Sequence, residues 1–258
     1  MKRIGYSLLA VLAFTAPASA TVSPNGAHIT ERVYNDCPSS TLITVNAYPA
    51  LISFDDTHLS CFGFANRHVW SFSADGGASD ELFKNRDEFS FGATVTLGGT
   101  GVGESGLRLS PWWSPNNDGQ FNIRTPDGEI AVFGGRLPFY SFTAAHGILY
   151  AAGTPIRLTI DYSPNDVSAT NPATIVYTVQ IGANVYSSGP LAFDHGNPAE
   201  PYGVWGILND AHAGGHAQFR LGNGEPVNVS ATWENITFEA GPTPAQPASW
   251  GKIKADYR

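Results

Sequence analysis

Residues 120–133, QFNIRTPDGEIAVF, leave this chain little choice of fold class. Phe121 and Ile123 alternate with Gln120, Asn122 and Arg124; Ile130 and Val132 alternate with Glu129, Ala131 and Phe133. A period of two is what a strand with one buried face requires, and no helix gathers these apolar residues on one side. Between the runs stands Thr125-Pro126-Asp127-Gly128, where proline presets φ and glycine accepts a positive φ, so it reads as a turn. If 125–128 form the loop, Arg124 and Glu129 lie opposite each other, and parity independently puts both on the outer face. The register of the hairpin is specified twice.

The run before it, from Glu104, follows the same rule. Leu107, Leu109 and Pro111 turn inward, and Glu104, Arg108 and Trp112 share the other side. The outer face of these strands therefore carries carboxylates, guanidiniums, amides and a tryptophan. That is the chemistry of a wet exterior and equally of a surface that binds sugars.

The same alternation recurs along the chain. Strands are expected within residues 29–34, in one or two pieces of 41–54 broken near Pro49, and over 67–74, 88–97, 155–162, 174–181, 185–187, 202–208, 218–221 and 231–239. Residues 74–87 read as a polar loop with one helical turn. No fixed-period repeat is present, which argues against a propeller or solenoid. With only 14% charged residues and 28 glycines, the composition is that of an all-β protein rich in turns. Residues 21–239 are expected to form one domain.

The ends differ from this body. MKRIGYSLLAVLAFTAPASA reads as a secretory signal peptide over residues 1–20: Lys2 and Arg3, a short apolar core, then Ala18-Ser19-Ala20. Residues 240–258 read as a Pro/Ala-rich linker and a basic-aromatic tail. A secreted chain meets an oxidising compartment, so Cys37 and Cys61, the only cysteines, are expected to form a disulfide. The formal charge of −8 and the lack of a basic cluster argue against a nucleic-acid partner, and no apolar run is long enough for a membrane span.

Residues 89–239 resemble the concanavalin A-like lectin/glucanase superfamily. The resemblance lies in the FSFGATVTL strand, the GQFNIRTPDGEIAVFGG hairpin, GTPIRLTIDY before YTVQIGANVYSSG, and the closing ATWENITFE. It implies a jelly-roll β-sandwich of two curved antiparallel sheets, and a polysaccharide or glycan as partner. The E-x-D-x-E run of the superfamily's glucanases is absent. No Q-I-H strand of its alginate-lyase branch and no legume-lectin metal loop can be recognised. The resemblance thus implies a fold and leaves the branch open: glycan binding first, a hydrolase or lyase second, a surface module without ligand third.

Five residue sets could carry chemistry. Glu104 and Glu129, on one sheet face, are candidate catalytic carboxylates, with Arg124–Glu129 equally readable as a cross-strand ion pair. Trp112, Arg108, Asn122, Arg124, Arg136, Tyr140 and Trp205 are candidate ligand contacts, the aromatic rings for stacking on pyranoses and the polar groups for orienting them. Asp210, His212 and His216 offer oxygen and imidazole donors that suit zinc, although Gly214-Gly215 between the histidines reads as a bulge or turn. Arg136, Tyr140 and His146 could serve an elimination reaction. Asn116-Asn117-Asp118-Gly119, first of all a turn, offers oxygens that suit calcium.

Overall fold

The computed structural model describes residues 23–194 and 205–241. The expected signal peptide, the 240–258 tail beyond Gly241 and residues 202–204 of one expected strand lie outside them.

In chain order the strands are Gly26–Asn35 (β1), Thr41–Ala47 (β2), Leu51–Thr57 (β3), Ala65–Ser73 (β4), Leu82–Phe83 (β5), Phe89–Gly99 (β6), Gly103–Ser110 (β7) and Gln120–Arg124 (β8). They continue with Ile130–Phe133 (β9) and Tyr140–Ser141 (β10). After a short helix, Phe142–His146 (α1), come Ile156–Ser163 (β11), Thr174–Ile181 (β12), Asn184–Ser187 (β13), Leu191–Ala192 (β14), Ala211–Arg220 (β15) and Val229–Ala240 (β16). They form two antiparallel sheets of eight strands, the jelly-roll sandwich expected. The first has the order β1-β4-β15-β7-β8-β9-β10 with β5 beside β15; the second has β13-β12-β11-β6-β16-β3-β2 with β14 beside β12.

The alternating apolar residues meet between the sheets. Phe121, Ile123, Ile130 and Val132 of the hairpin are fully buried, as are Phe91, Val95 and Leu97 of β6. At the centre the indoles of Trp70 and Trp233 cross edge to face with ring centroids 6.2 Å apart, and Phe72 packs edge-on to Trp70 at 5.3 Å. Burying each such ring contributes about 1.5–3 kcal/mol, so this aromatic group is a principal adhesive between the layers. The 125–128 turn has the register expected: the Arg124 amide donates to the Glu129 carbonyl at 3.1 Å. Cys37 and Cys61 are bridged, tying β1 to the segment before β4.

Three local expectations are corrected. Residues 205–208 form no strand; Leu208 has a φ of 73°, outside any strand conformation. Residues 74–87 contain no helical turn but the short strand β5. Gly214 and Gly215 are neither bulge nor turn, because they stand inside the ten-residue β15. A Cβ at Gly215 would lie 2.3 Å from Nε1 of Trp70 and 2.7 Å from Nε1 of Trp233, so the two indoles leave room only for glycine.

Candidate functional site

Strand pairing fixes which side chains share the outer face of the first sheet, since residues directly opposite in register point the same way. One row across it runs Tyr34, Arg67, Gln218, Glu104, Arg124. The next runs Thr30, Val69, His216, Gly106, Asn122, Ala131, and the third runs His28, Ser71, Gly214, Arg108, Gln120, Phe133. Glycines at 106 and 214 leave His216 without side-chain neighbours on two sides.

This face is not open to solvent at its centre. Arg67 is 1% exposed, and Arg108, Asn122 and His216 are 0% exposed. The cover is the loop 111–119 between β7 and β8. Its backbone faces down: Nε of Arg67 donates to the Asn116 carbonyl at 2.7 Å, Nη1 of Arg108 donates to the Pro115 carbonyl, and Nε2 of Gln120 donates to the Asn117 carbonyl at 2.6 Å. The Ser110 hydroxyl donates to the Asp118 carbonyl at 2.6 Å.

Beneath the loop the hydrogen-bond inventory does not close. Both ring nitrogens of His216, Oδ1 of Asn122 and Oδ1 of Asn117 are buried with no partner among the described residues. Buried polar atoms are almost always paired, so four such atoms in one place mark it out. Burial holds the His216 imidazole well below its ordinary pKa, and the charges of Arg67 and Arg108 push in the same direction. Burial likewise lowers each guanidinium, to about 10, which leaves both charged at neutral pH. The centre of the face is thus a neutral imidazole held between two cations.

The expected site residues fall around it as follows. Glu104 accepts from Nδ2 of Asn122 at 2.9 Å and lies 3.8 Å from Nε of Arg124, whose Nη1 is 3.1 Å from Glu129. Arg124 therefore bridges the two candidate carboxylates, the ion-pair reading of Arg124–Glu129. Trp112 is not on the strand with Arg108: β7 ends at Ser110, and Trp112 rides on the covering loop, 46% exposed, edge-on to Trp113. Arg136 lies in the turn after β9, whose Gly135 abuts Pro111 of that loop. Tyr140 pairs with Val132 in register and so leans toward the core side, its hydroxyl 3.0 Å from Nε2 of His146. Trp205, whose carbonyl accepts from the Ala173 amide, lies near β12 of the other sheet.

The Asp210, His212 and His216 set is not assembled. Asp210 pairs with Lys84, and Nδ1 of His212 is 2.6 Å from Asp80. The other oxygen of Asp80 takes Nδ1 of His28, also at 2.6 Å. Burial works to raise the Asp80 carboxyl, but hydrogen bonds from His212 and His28 outweigh it and hold the group below the usual range. Among the described residues no cluster of three or more His, Cys, Asp and Glu side chains is placed to hold a metal ion. In the 116–119 turn the main-chain oxygens of Asn116, Asn117 and Asp118 are already turned toward the sheet.

Arg67 and Gln218 escape a reading of the sequence. In β4, Asn66 and His68 point to the core while Arg67 and Ser71 point outward, so neither side shows the apolar contrast that reveals a face. The only local signal is parity with Trp70 and Phe72.

No protein-family model and no curated protein matches this chain. Among solved structures it is similar to an alginate lyase, A1-II′, with TM-score 0.46 and 9% identity over 84% of this chain and 100% of that one. An alginate lyase from Corynebacterium sp. aligns with TM-score 0.40 and 12% identity over 84% and 94% of the two chains. The lectin UEA-II aligns with TM-score 0.34 and 10% identity over 84% and 100%. What those proteins bind or cleave does not say which residues of this chain act.

Proposed function

We propose that this chain is an exported carbohydrate-recognising protein whose glycan site is the outer face of the first sheet, centred on His216 and Asn122. One observation supports this above the others: the face gathers guanidinium, amide, carboxylate and imidazole groups on three adjacent strands, and leaves His216 and Asn122 with unmatched donors and acceptors. Sugar hydroxyls both donate and accept, and so match such a mixed lining. Trp112 at the rim supplies a ring for stacking. The Cys37–Cys61 disulfide fits an oxidising compartment.

A second reading, a polysaccharide lyase or hydrolase, is favoured by the state of His216. An uncharged imidazole can accept a proton, and adjacent guanidiniums stabilise negative charge as it develops. Glu104 and Glu129 are the carboxylate pair of the hydrolytic version.

The test is incubation of the purified protein with a panel of soluble polysaccharides, following electrophoretic retardation, new reducing ends and absorbance of unsaturated sugars. Retardation without product, lost in Asn122→Ala and weakened roughly tenfold in Trp112→Ala, is the outcome expected for a binding protein; tenfold corresponds to about 1.4 kcal/mol. Unsaturated product that disappears in His216→Gln would replace it with a lyase, and reducing ends that disappear in Glu104→Gln with a hydrolase. Silence across the panel would sink both readings and leave a structural module.

A further inference from the structure

We infer that the loop 111–119 is a lid over this site, and that its main-chain carbonyls occupy, when closed, the places on Arg67, Arg108 and Gln120 that a ligand's oxygen atoms take when it binds. The inference rests on the reading of this face as the ligand site.

The loop is attached in an unusual way. Pro115, Asn116, Asn117 and Asp118, four successive residues, each direct a carbonyl at a side chain of the sheet. None of residues 112–118 is buried, and none joins the hydrophobic core. The bonds that tie the loop's main chain to the sheet are polar, and water or a ligand can replace them. Segments held in this manner are the ones that open locally while the rest of the fold persists. Its ends are firm by contrast: Pro111 and Gly119 are buried, the Leu109 amide donates to the Gly119 carbonyl at 2.8 Å, and Gly119 has a φ of 68° that suits glycine.

What lies below explains why opening would matter. With the loop down, His216 is fully enclosed and its ring nitrogens meet no donor or acceptor. Carbonyl oxygens and sugar oxygens are interchangeable to a guanidinium donor. A ligand that displaces the loop keeps Arg67, Arg108 and Gln120 satisfied and gains His216 and Asn122 in addition.

The protein contains its own control. His68 is as deeply buried as His216, but it points between the sheets, packed on Phe54 and Phe219, where only loss of the sandwich can reach it. Diethyl pyrocarbonate, which acylates accessible neutral imidazoles, is applied to the folded protein and the modified histidines are read by peptide mass spectrometry. The expected result is modification of His216 at least tenfold faster than of His68, with Pro115→Gly, which loosens the loop, accelerating His216 further and leaving His68 unchanged. Equal rates for the two histidines, or equal acceleration of both, would overturn the lid. Should Pro115→Gly fail to fold, the comparison within the unaltered protein still decides. The labelling uses no sugar, so an opening lid together with a silent polysaccharide panel would refute the glycan reading alone.

Discussion

His216 titrates differently in the folded and unfolded chain, and the sign of the effect can be worked out. In the folded protein burial and two guanidiniums keep the imidazole neutral; in the unfolded chain it takes up a proton near the ordinary value of about 6.5. Below that pH the unfolded state binds a proton that the folded state refuses, so stability falls with pH at up to about 1.4 kcal/mol per unit. Denaturant unfolding at pH 7.5 and pH 5 should show His216→Gln losing less than the parent over that interval, by up to about 2 kcal/mol. An equal loss would mean that His216 is protonated in the fold. The sequence offered His216 as a metal ligand because Asp-x-His-x-x-x-His places donors close together. It could not show that alternate residues on one strand face separate neighbours, so that His212 reaches Asp80 while His216 meets the arginines.

At the scale of elements, β15 teaches the most. Its inward residues are Ala211, Ala213, Gly215, Ala217 and Phe219; the first four are small, and at Gly215 the indoles of Trp70 and Trp233 fill the space opposite. A core face of alanine and glycine up to residue 217 shows no apolar stripe, and this hid the first part of a central strand behind the look of a turn, leaving only 218–221 legible beside Phe219. The 120–133 hairpin was legible for the opposite reason: Phe, Ile and Val on one side and polar groups on the other. Gly215→Ala should therefore cost roughly 2–3 kcal/mol, as overpacking of a filled core does. Gly98→Ala, where a Cβ would find only ordinary 3.6 Å contacts, should stay within about 0.5 kcal/mol. Urea denaturation midpoints of the two variants check the contrast, and equal midpoints would show that the indoles can move aside.

For the whole molecule, most of the longer strands and their parity were readable because each is a local property, whereas the two-residue strands β5, β10 and β14 carry no pattern long enough to read. Which sheet a strand joins was not, since β15 pairs with β4 and β7, far from it in sequence. The candidate site shares this division. Parity put Glu104, Arg108, Asn122 and Arg124 on one face correctly, but nothing local tells that the neighbouring loop folds back over them. The exposed glycan platform suggested by the sequence is instead an enclosed polar layer, bounded by a sheet on one side and a loop backbone on the other.

The strand order also has a consequence for how such a chain is made. β15 enters the first sheet between β4 and β7, and β16 enters the second between β3 and β6. Until both have emerged from the ribosome, the earlier strands can pair only as four separate ribbons, with the central strand of each sheet missing. A stable sandwich therefore waits until β16 has been synthesised. Chains ending at residue 209 should show no cooperative unfolding, whereas chains ending at residue 241 should; a cooperative transition in the shorter chain would show that half of each sheet suffices.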